Sequence, residues 1–162
     1  MTLTIRPATP ADHDAIWAIM APVIRDGATY PLDPDLGRDD ALAYWFAPDK
    51  RVFVAEEGGI VAGTYSLKPN STGPADHVAN AGYMPHTASR GRGIATAMAR
   101  DSFRRAKADG FRAMQFNLVI ATNEQAVRLW QKLGLQVVGR LPDAFRHKRL
   151  GYVDALVMYL ML

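Results

Sequence analysis

The sequence predicts a mixed α/β fold built on one central sheet, and three observations carry that prediction. Segments with the two-residue alternation of strands interleave with segments of helical periodicity along the whole chain. Clusters rich in Gly, Pro, Asn and Asp separate them at short intervals. The chain has 162 residues, no internal repeat and no low-complexity linker, and 49% of it is hydrophobic. That suits a single domain over residues 1–162 with one real core.

LTIRPAT reads as a short strand ending near Pro7. PADHDAIWAIMAPVI follows as a helix, with Pro10 at an early helical position and Ile16, Ile19, Met20 and Val23 on one face. The Gly- and Pro-rich RDGATYPLDPDLG is a loop, and RDDALAYWFA a short second helix. Arg51–Ala55 and Ile60–Leu67 are β-rich runs joined by a Glu-Glu-Gly-Gly turn, so they form a hairpin. After the loop KPNSTGPAD, HVANAGYM is a strand of small residues, which lets another group approach closely. Pro85 cannot donate to a ladder and marks a bulge or the strand end.

From Ile94 to Ala108 the pattern is helical, with Ala95, Ala99, Phe103 and Ala106 on one face and Arg100, Arg104, Arg105 and Lys107 outside; Gly110 ends it. AMQFNLVI is a buried strand. NEQAVRLWQKLG is a helix with Ala126, Leu129, Trp130 and Leu133 apolar, Thr122 and Gln125 spaced as a capping box, and Gly134 at its end. LQVVGRL and DALVMYLML close the chain as strands.

Composition narrows the chemistry. No apolar run reaches the roughly 18–20 residues of a membrane span. MTLTIRPATPADHD lacks the apolar region of a signal peptide. Cysteine is absent, which excludes disulfides, thiolate metal sites and a cysteine nucleophile and agrees with a cytoplasmic location. Four scattered histidines without H-E-x-x-H give no reason to expect a metal, and no G-x-S-x-G occurs. Charge is uneven: residues 1–50 carry four Lys/Arg against eight Asp, whereas 85–150 carry thirteen against four acids. A basic half of this kind suits an anionic partner: nucleic acid, a phosphate or a phosphorylated cofactor. A nucleic-acid binder would also want a stacking row of aromatics, which is missing.

SRGRGIATAM, Ser89 to Met98, lies in that basic half. It joins a strand to a helix through glycines. The first N–H groups of a helix lack intrahelical partners and face the positive end of the macrodipole. Gly91 and Gly93 let phosphate oxygens reach the backbone, and Arg90 and Arg92 add charge. The junction therefore suits a phosphate or pyrophosphate. It is not a P-loop, having no Gly-Lys-Ser/Thr. Nor is it a dinucleotide fingerprint, because Thr96 holds the third glycine position and AMQFNLVI is followed by Ala-Thr-Asn rather than an acid.

Arg90 to Ala95 instead resembles motif A of the GNAT superfamily of N-acetyltransferases, Q/R-x-x-G-x-G/A. Asn123 to Leu141, NEQAVRLWQKLGLQVVGRL, resembles the superfamily's asparagine-headed helix with its following turn and strand. The likeness covers nearly the whole chain. TYPLDPD and GRLPDAFRHKRLGYVDALVMY resemble a subgroup near the phosphinothricin-type acetyltransferases.

The resemblance implies a mostly antiparallel sheet splayed between strands 4 and 5, with acetyl-CoA in the gap and no metal. Arg90, Gly91, Arg92, Gly93, Ile94, Ala95 and Thr96 match the pyrophosphate loop, and Asn123 the residue that touches the pantetheine arm. Met84, Pro85 and His86 match the bulged end of strand 4, whose N–H groups hold the acetyl carbonyl; since Pro85 has none, the donor is expected from Met84 or His86. The family's general base, commonly a glutamate, falls near Asn80, which can orient a water but not take a proton. The usual tyrosine acid is Trp130 here, placing an indole beside the cofactor. His77 and His86 flank strand 4 as alternative proton relays. Tyr30, in the loop between the first two helices, and Phe145, Arg146 and His147, between the last two strands, match acceptor-pocket regions.

The implied activity is direct transfer of acetyl from acetyl-CoA to the primary amine of a small molecule, an amino acid or analogue, in a ternary complex. A catalytically weak acyl-CoA sensor of the same fold is the alternative, motivated by the missing Glu and Tyr. Neither reading involves nucleic acid or a membrane, and a homodimer is common among similar proteins.

Overall fold

The computed structural model describes residues 2–162. Its strands are β1 (Leu3–Pro7), β2 (Arg51–Glu57), β3 (Ile60–Pro69), β4 (Val78–Pro85), β5 (Ala113–Ile120), β6 (Gln136–His147) and β7 (Gly151–Met161). Its α-helices are α1 (His13–Asp26), α2 (Arg38–Trp45), α3 (Ile94–Ala108) and α4 (Glu124–Lys132). The strands form one sheet in the order β1-β2-β3-β4-β5-β7-β6. Every neighbouring pair is antiparallel except β4 with β5.

Alternation sorts the side chains into two cores. Phe53 and Ala55 of β2, Tyr65 and Leu67 of β3, and Ala79, Ala81 and Tyr83 of β4 pack on one face beneath Ile94, Met98, Ala99 and Ala106 of α3 and Trp130 of α4. Val52, Val54 and Met84 point the other way, against Ile16, Ile19, Met20 and Ile24 of α1 and Ala41, Leu42 and Trp45 of α2. A sheet covered on both faces explains why β2 and β3 read as continuous apolar runs.

The edges of α1 differ from the sequence reading. Pro10–Asp12 form a 3₁₀ turn and the α-helix starts at His13. It continues past Pro22 to Asp26, where Gly27 ends it at φ 60°. β6 and β7 are longer than expected: the ladder reaches His147 opposite Gly151, with register shifts on the way. Phe145, Arg146 and His147 are therefore strand residues of β6, not a connection between strands. Among the described residues, no helix is long and apolar enough to cross a membrane, and no cluster of metal-ligating side chains is present.

Candidate functional site

β4 and β5 pair only at Val78–Ala113 and Ala79–Met114. Beyond that point they part. β5 also shifts register against β7 between Phe116 and Val119, the kind of bulge that bends a strand. A cavity of about 810 Å³ fills the opening and passes through the sheet. Arg90, Gly91, Gly93–Thr96 and Asn123 line one side, and Tyr30, Trp45, Lys50 and Lys68 the other.

The first side has the character of an anion cradle. Gly91 and Gly93 have φ of 75° and 77°, where a side chain is strained, and the space around each Cα is open. Gly93 caps α3, and no side chain satisfies the N–H groups of the first turn. Arg90 lines the cavity, but Arg92 turns away to pair with Glu57 of β2.

Backbone phase decides which groups of β4 face the gap. His86 N–H donates to Ala62 C=O and Asn70 N–H to Val78 C=O, each at 2.8 Å. The β3–β4 register between them is unbroken, so hydrogen-bonded pairs alternate and the even-numbered residues of β4 bond to β3. This corrects the expected carbonyl donors: the N–H groups of Met84 and His86 both point to β3. The expected bulge is absent as well, and Pro85 simply ends the strand. The backbone of Ala81, Tyr83 and Pro85 faces the gap. Pro85 has no N–H and the carbonyl of Tyr83 accepts from the Tyr30 phenol at 3.0 Å, which leaves the Tyr83 N–H as the donor at the mouth of the splay. Residue type alone carries no signal for this; strand phase does.

Asn80 bridges the strands where their pairing stops, its Nδ2 donating to Gln115 C=O of β5 at 2.9 Å. That fixes its Oδ1 as the free acceptor in the cavity wall. Tyr30 reaches across Gly82, where a Cβ would stand 3.0 Å from its Oη. Burial pushes the Tyr30 phenol well above its ordinary pKa, so it remains a protonated donor. Lys50 and Lys68, which sequence reading missed, line the same side. Burial lowers the Lys50 ammonium, and the neighbouring Lys68 lowers it further. Lys50 donates to Tyr44 C=O at 2.8 Å over that residue's ring, while Lys68 has Asp49 at 3.7 Å.

Other expected residues fall outside the cavity. His86 accepts from Ala88 N–H through Nδ1 at 3.0 Å and caps a 3₁₀ turn. Phe145 is buried beside Ile120 and Ala155. His147 is buried too, its Nδ1 accepting from Arg149 and Leu150 N–H and shaping the turn into β7, while Arg146 is exposed. These three do not line the cavity, although the turn of their hairpin is tied to the end of α1, Lys148 N–H donating to Gly27 C=O at 3.0 Å; the side of the cavity opposite the cradle is built from α1, α2, β3 and β4. Trp130 does line the cavity, at 9% exposure, packed tilted against Tyr83 and edge-on to Phe116 with ring centres 5.1 and 5.0 Å away. Asn123 caps α4, accepting from Ala126 N–H at 3.4 Å, a role the sequence offered to it or to Thr122. All three glutamates lie elsewhere: Glu56 pairs with Arg6, Glu57 with Arg92, and Glu124 sits exposed near Arg128.

A sheet opened between its one parallel pair, with an anion cradle on one side, is matched among known proteins. Residues 17–135 match the acetyltransferase (GNAT) family. The N-acetyltransferase aca1 of Schizosaccharomyces pombe is 32% identical over 151 residues, covering 83% of this chain and 72% of that protein. A GCN5-related N-acetyltransferase from Kribbella flavida superposes with a TM-score of 0.93 at 41% identity, over 99% of this chain and 98% of its own. A Salmonella typhimurium protein solved with its cofactor acetyl-CoA superposes at 0.86 with 25% identity, over 100% of this chain and 95% of its own. The chain belongs to the GNAT family of acetyltransferases and is an N-acetyltransferase.

Proposed function

We propose that the enzyme moves acetyl from acetyl-CoA to the primary amine of a small molecule that also carries a carboxylate, an amino acid or analogue, by direct transfer in a ternary complex. One observation carries this reading: a single cavity joins the cradle at α3 to an oxygen-lined compartment rimmed by Lys50 and Lys68. Arg90, Gly91 and Gly93–Thr96 would hold the pyrophosphate, and Asn123 and Trp130 would flank the pantetheine arm. Two lysines on one rim, with Lys68 close enough to lower the already half-buried Lys50 ammonium further, favour an anion between them, which suits a carboxylate.

In this reading the amine nitrogen attacks the thioester carbonyl, the C–N bond forms, and the C–S bond breaks. Negative charge builds on the carbonyl oxygen, where the Tyr83 N–H donates. No carboxylate stands at Asn80, so the ammonium proton leaves to water that Asn80 orients. The CoA thiolate, with an ordinary pKa of about 8.5, leaves without a dedicated acid and takes a proton from water.

Calorimetric titration with acetyl-CoA, followed by free-thiol release over amino acids and their decarboxylated counterparts, tests the reading. Binding is expected, with thiol release fastest for the amino acids. Equal rates for the decarboxylated amines would remove the carboxylate from the proposal. Gly93→Asp places a carboxylate in the cradle, at a positive φ that strains any side chain but that Asp bears better than most residues. It should abolish acetyl-CoA binding with an unchanged circular dichroism spectrum, and undiminished affinity would show the cradle to be misassigned.

A further inference from the structure

Among the described residues, six polar or charged ones are buried: Asp12, Thr64, Ser66, Ser89, Ser102 and His147. A buried polar group without a partner costs roughly 1–3 kcal/mol, so such groups are normally paired. Four of the six are paired within the protein. Asp12 holds Arg6, and His147 accepts two backbone N–H groups. Thr64 accepts from Trp45 Nε1 at 3.1 Å and donates to Phe53 C=O at 2.8 Å. Ser102 bonds Ala99 C=O and the Tyr83 phenol, both at 2.7 Å. Ser66 and Ser89 make no side-chain hydrogen bond among the described residues, and their hydroxyls are not sealed off, because both residues open on the cavity. Ser89 lies beside the cradle. Ser66, 6% exposed, lies on β3 on the acceptor side.

Its neighbours define what it could hold. Ser66 stands opposite Gly82 and Lys68 opposite Asn80. Ser66 and Asn80 are thus diagonal neighbours on one face, about 7–8 Å apart along the sheet. Gly82, between them, contributes no side chain, and the Tyr30 hydroxyl overhangs it. The result is a stretch of sheet with no side chain of its own, covered by Tyr30 Oη and flanked by Ser66 Oγ and Asn80 Oδ1. Oxygen acceptors around a gap suit a group with several N–H donors. An amine ready to attack has lost one proton, points its lone pair at the carbonyl carbon, and keeps two N–H bonds to be held.

We infer that Ser66 is a direct ligand of the acceptor nitrogen, sharing it with Asn80 and aiming its lone pair through the splay. The inference rests on the acceptor side being where the amine binds. Ser66 orients and does not act as the base, because a serine hydroxyl does not give up its proton near neutrality. It accepts one N–H of the amine, and the proton lost by the ammonium goes to water as before.

The test compares wild type, Ser66→Ala and Ser66→Thr for amine turnover and for acetyl-CoA affinity. Ser66→Ala is expected to lower kcat/KM for the best amine about ten- to hundred-fold, the scale of a hydrogen bond to a charged or reacting group. Acetyl-CoA affinity should not change, and Ser66→Thr, which keeps the hydroxyl, should stay within a few-fold of wild type. Unchanged kcat/KM in Ser66→Ala overturns the inference while leaving the acetyltransferase reading intact. Equal damage from Thr and Ala, or loss of acetyl-CoA binding in Ala, overturns it in favour of packing. A wild-type enzyme that binds acetyl-CoA yet acetylates no amine in the panel overturns the acceptor reading, and this inference with it.

Discussion

Asp12 sits at the head of α1 with its carboxylate accepting both Nη groups of Arg6 at 2.9 Å and the Thr9 N–H at 2.7 Å. Arg6 also reaches Glu56, so one guanidinium ties β1 to β2 and to the first helix. The hydrogen bonds from Arg6 hold the Asp12 pKa down to about 2, against an ordinary 3.8, despite the opposing effect of burial. A depressed carboxylate stabilises the fold above its unfolded pKa and loses that effect as pH falls. Thermal melts should therefore show this contribution fully present above about pH 4 and fading between pH 4 and 2. Asp12→Asn should flatten that part of the profile and cost about 1–3 kcal/mol at neutral pH; an identical acid limb in the variant would assign the slope to other groups. At the same scale, the sequence placed Asn80 and Tyr30 at the cavity but mistook Met84 and His86 for carbonyl donors. Which N–H of a strand faces a gap depends on ladder phase, which a single strand's sequence does not encode.

Among the elements, α4 illustrates a residue with two roles. Asn123 caps the helix over a long 3.4 Å contact with Ala126 N–H, while its side chain also borders the cavity. Asn123→Ala should cost about 1 kcal/mol, or a fall of about 2–4 °C in Tm for a chain of this size. Asn123→Ser restores a cap. If the side chain also holds the pantetheine arm, the Ser variant regains Tm but not acetyl-CoA affinity; recovery of both would leave Asn123 a cap alone. α3 was legible from end to end because its apolar stripe and flanking glycines agree. The β6–β7 hairpin was not. Pro142 and the polar run after it read as a loop, and Asp143 takes φ 49°, yet pairing resumes at Phe145–Val153. Long-range pairing restored a strand that local composition argues against, and with it kept Phe145–His147 out of the cavity lining.

For the whole molecule, element order made the mixed sheet legible, and the pairing of motif A with the asparagine-headed helix made the family legible. The width and lining of the opening were not, since they follow from where β4 and β5 cease to pair. Lys50, Lys68 and Ser66 come together only through that geometry; in sequence they look like ordinary residues of a loop end and a strand.

Because the cavity is lined from both faces of the sheet, the proposed reading brings the two substrates in from opposite faces. Neither would then have to pass the other on the way to a shared chamber. A single compound with a CoA portion in one entrance, an amino acid portion in the other and a short tether through the hole would engage both at once. Its second contact would form at the effective concentration set by the tether, roughly millimolar for a short one. Calorimetry should find it binding more tightly than either half alone by a factor of about 10²–10⁴. A tether too short to cross the sheet would lose the gain entirely, so a series of lengths would act as a ruler for the thickness of the opening.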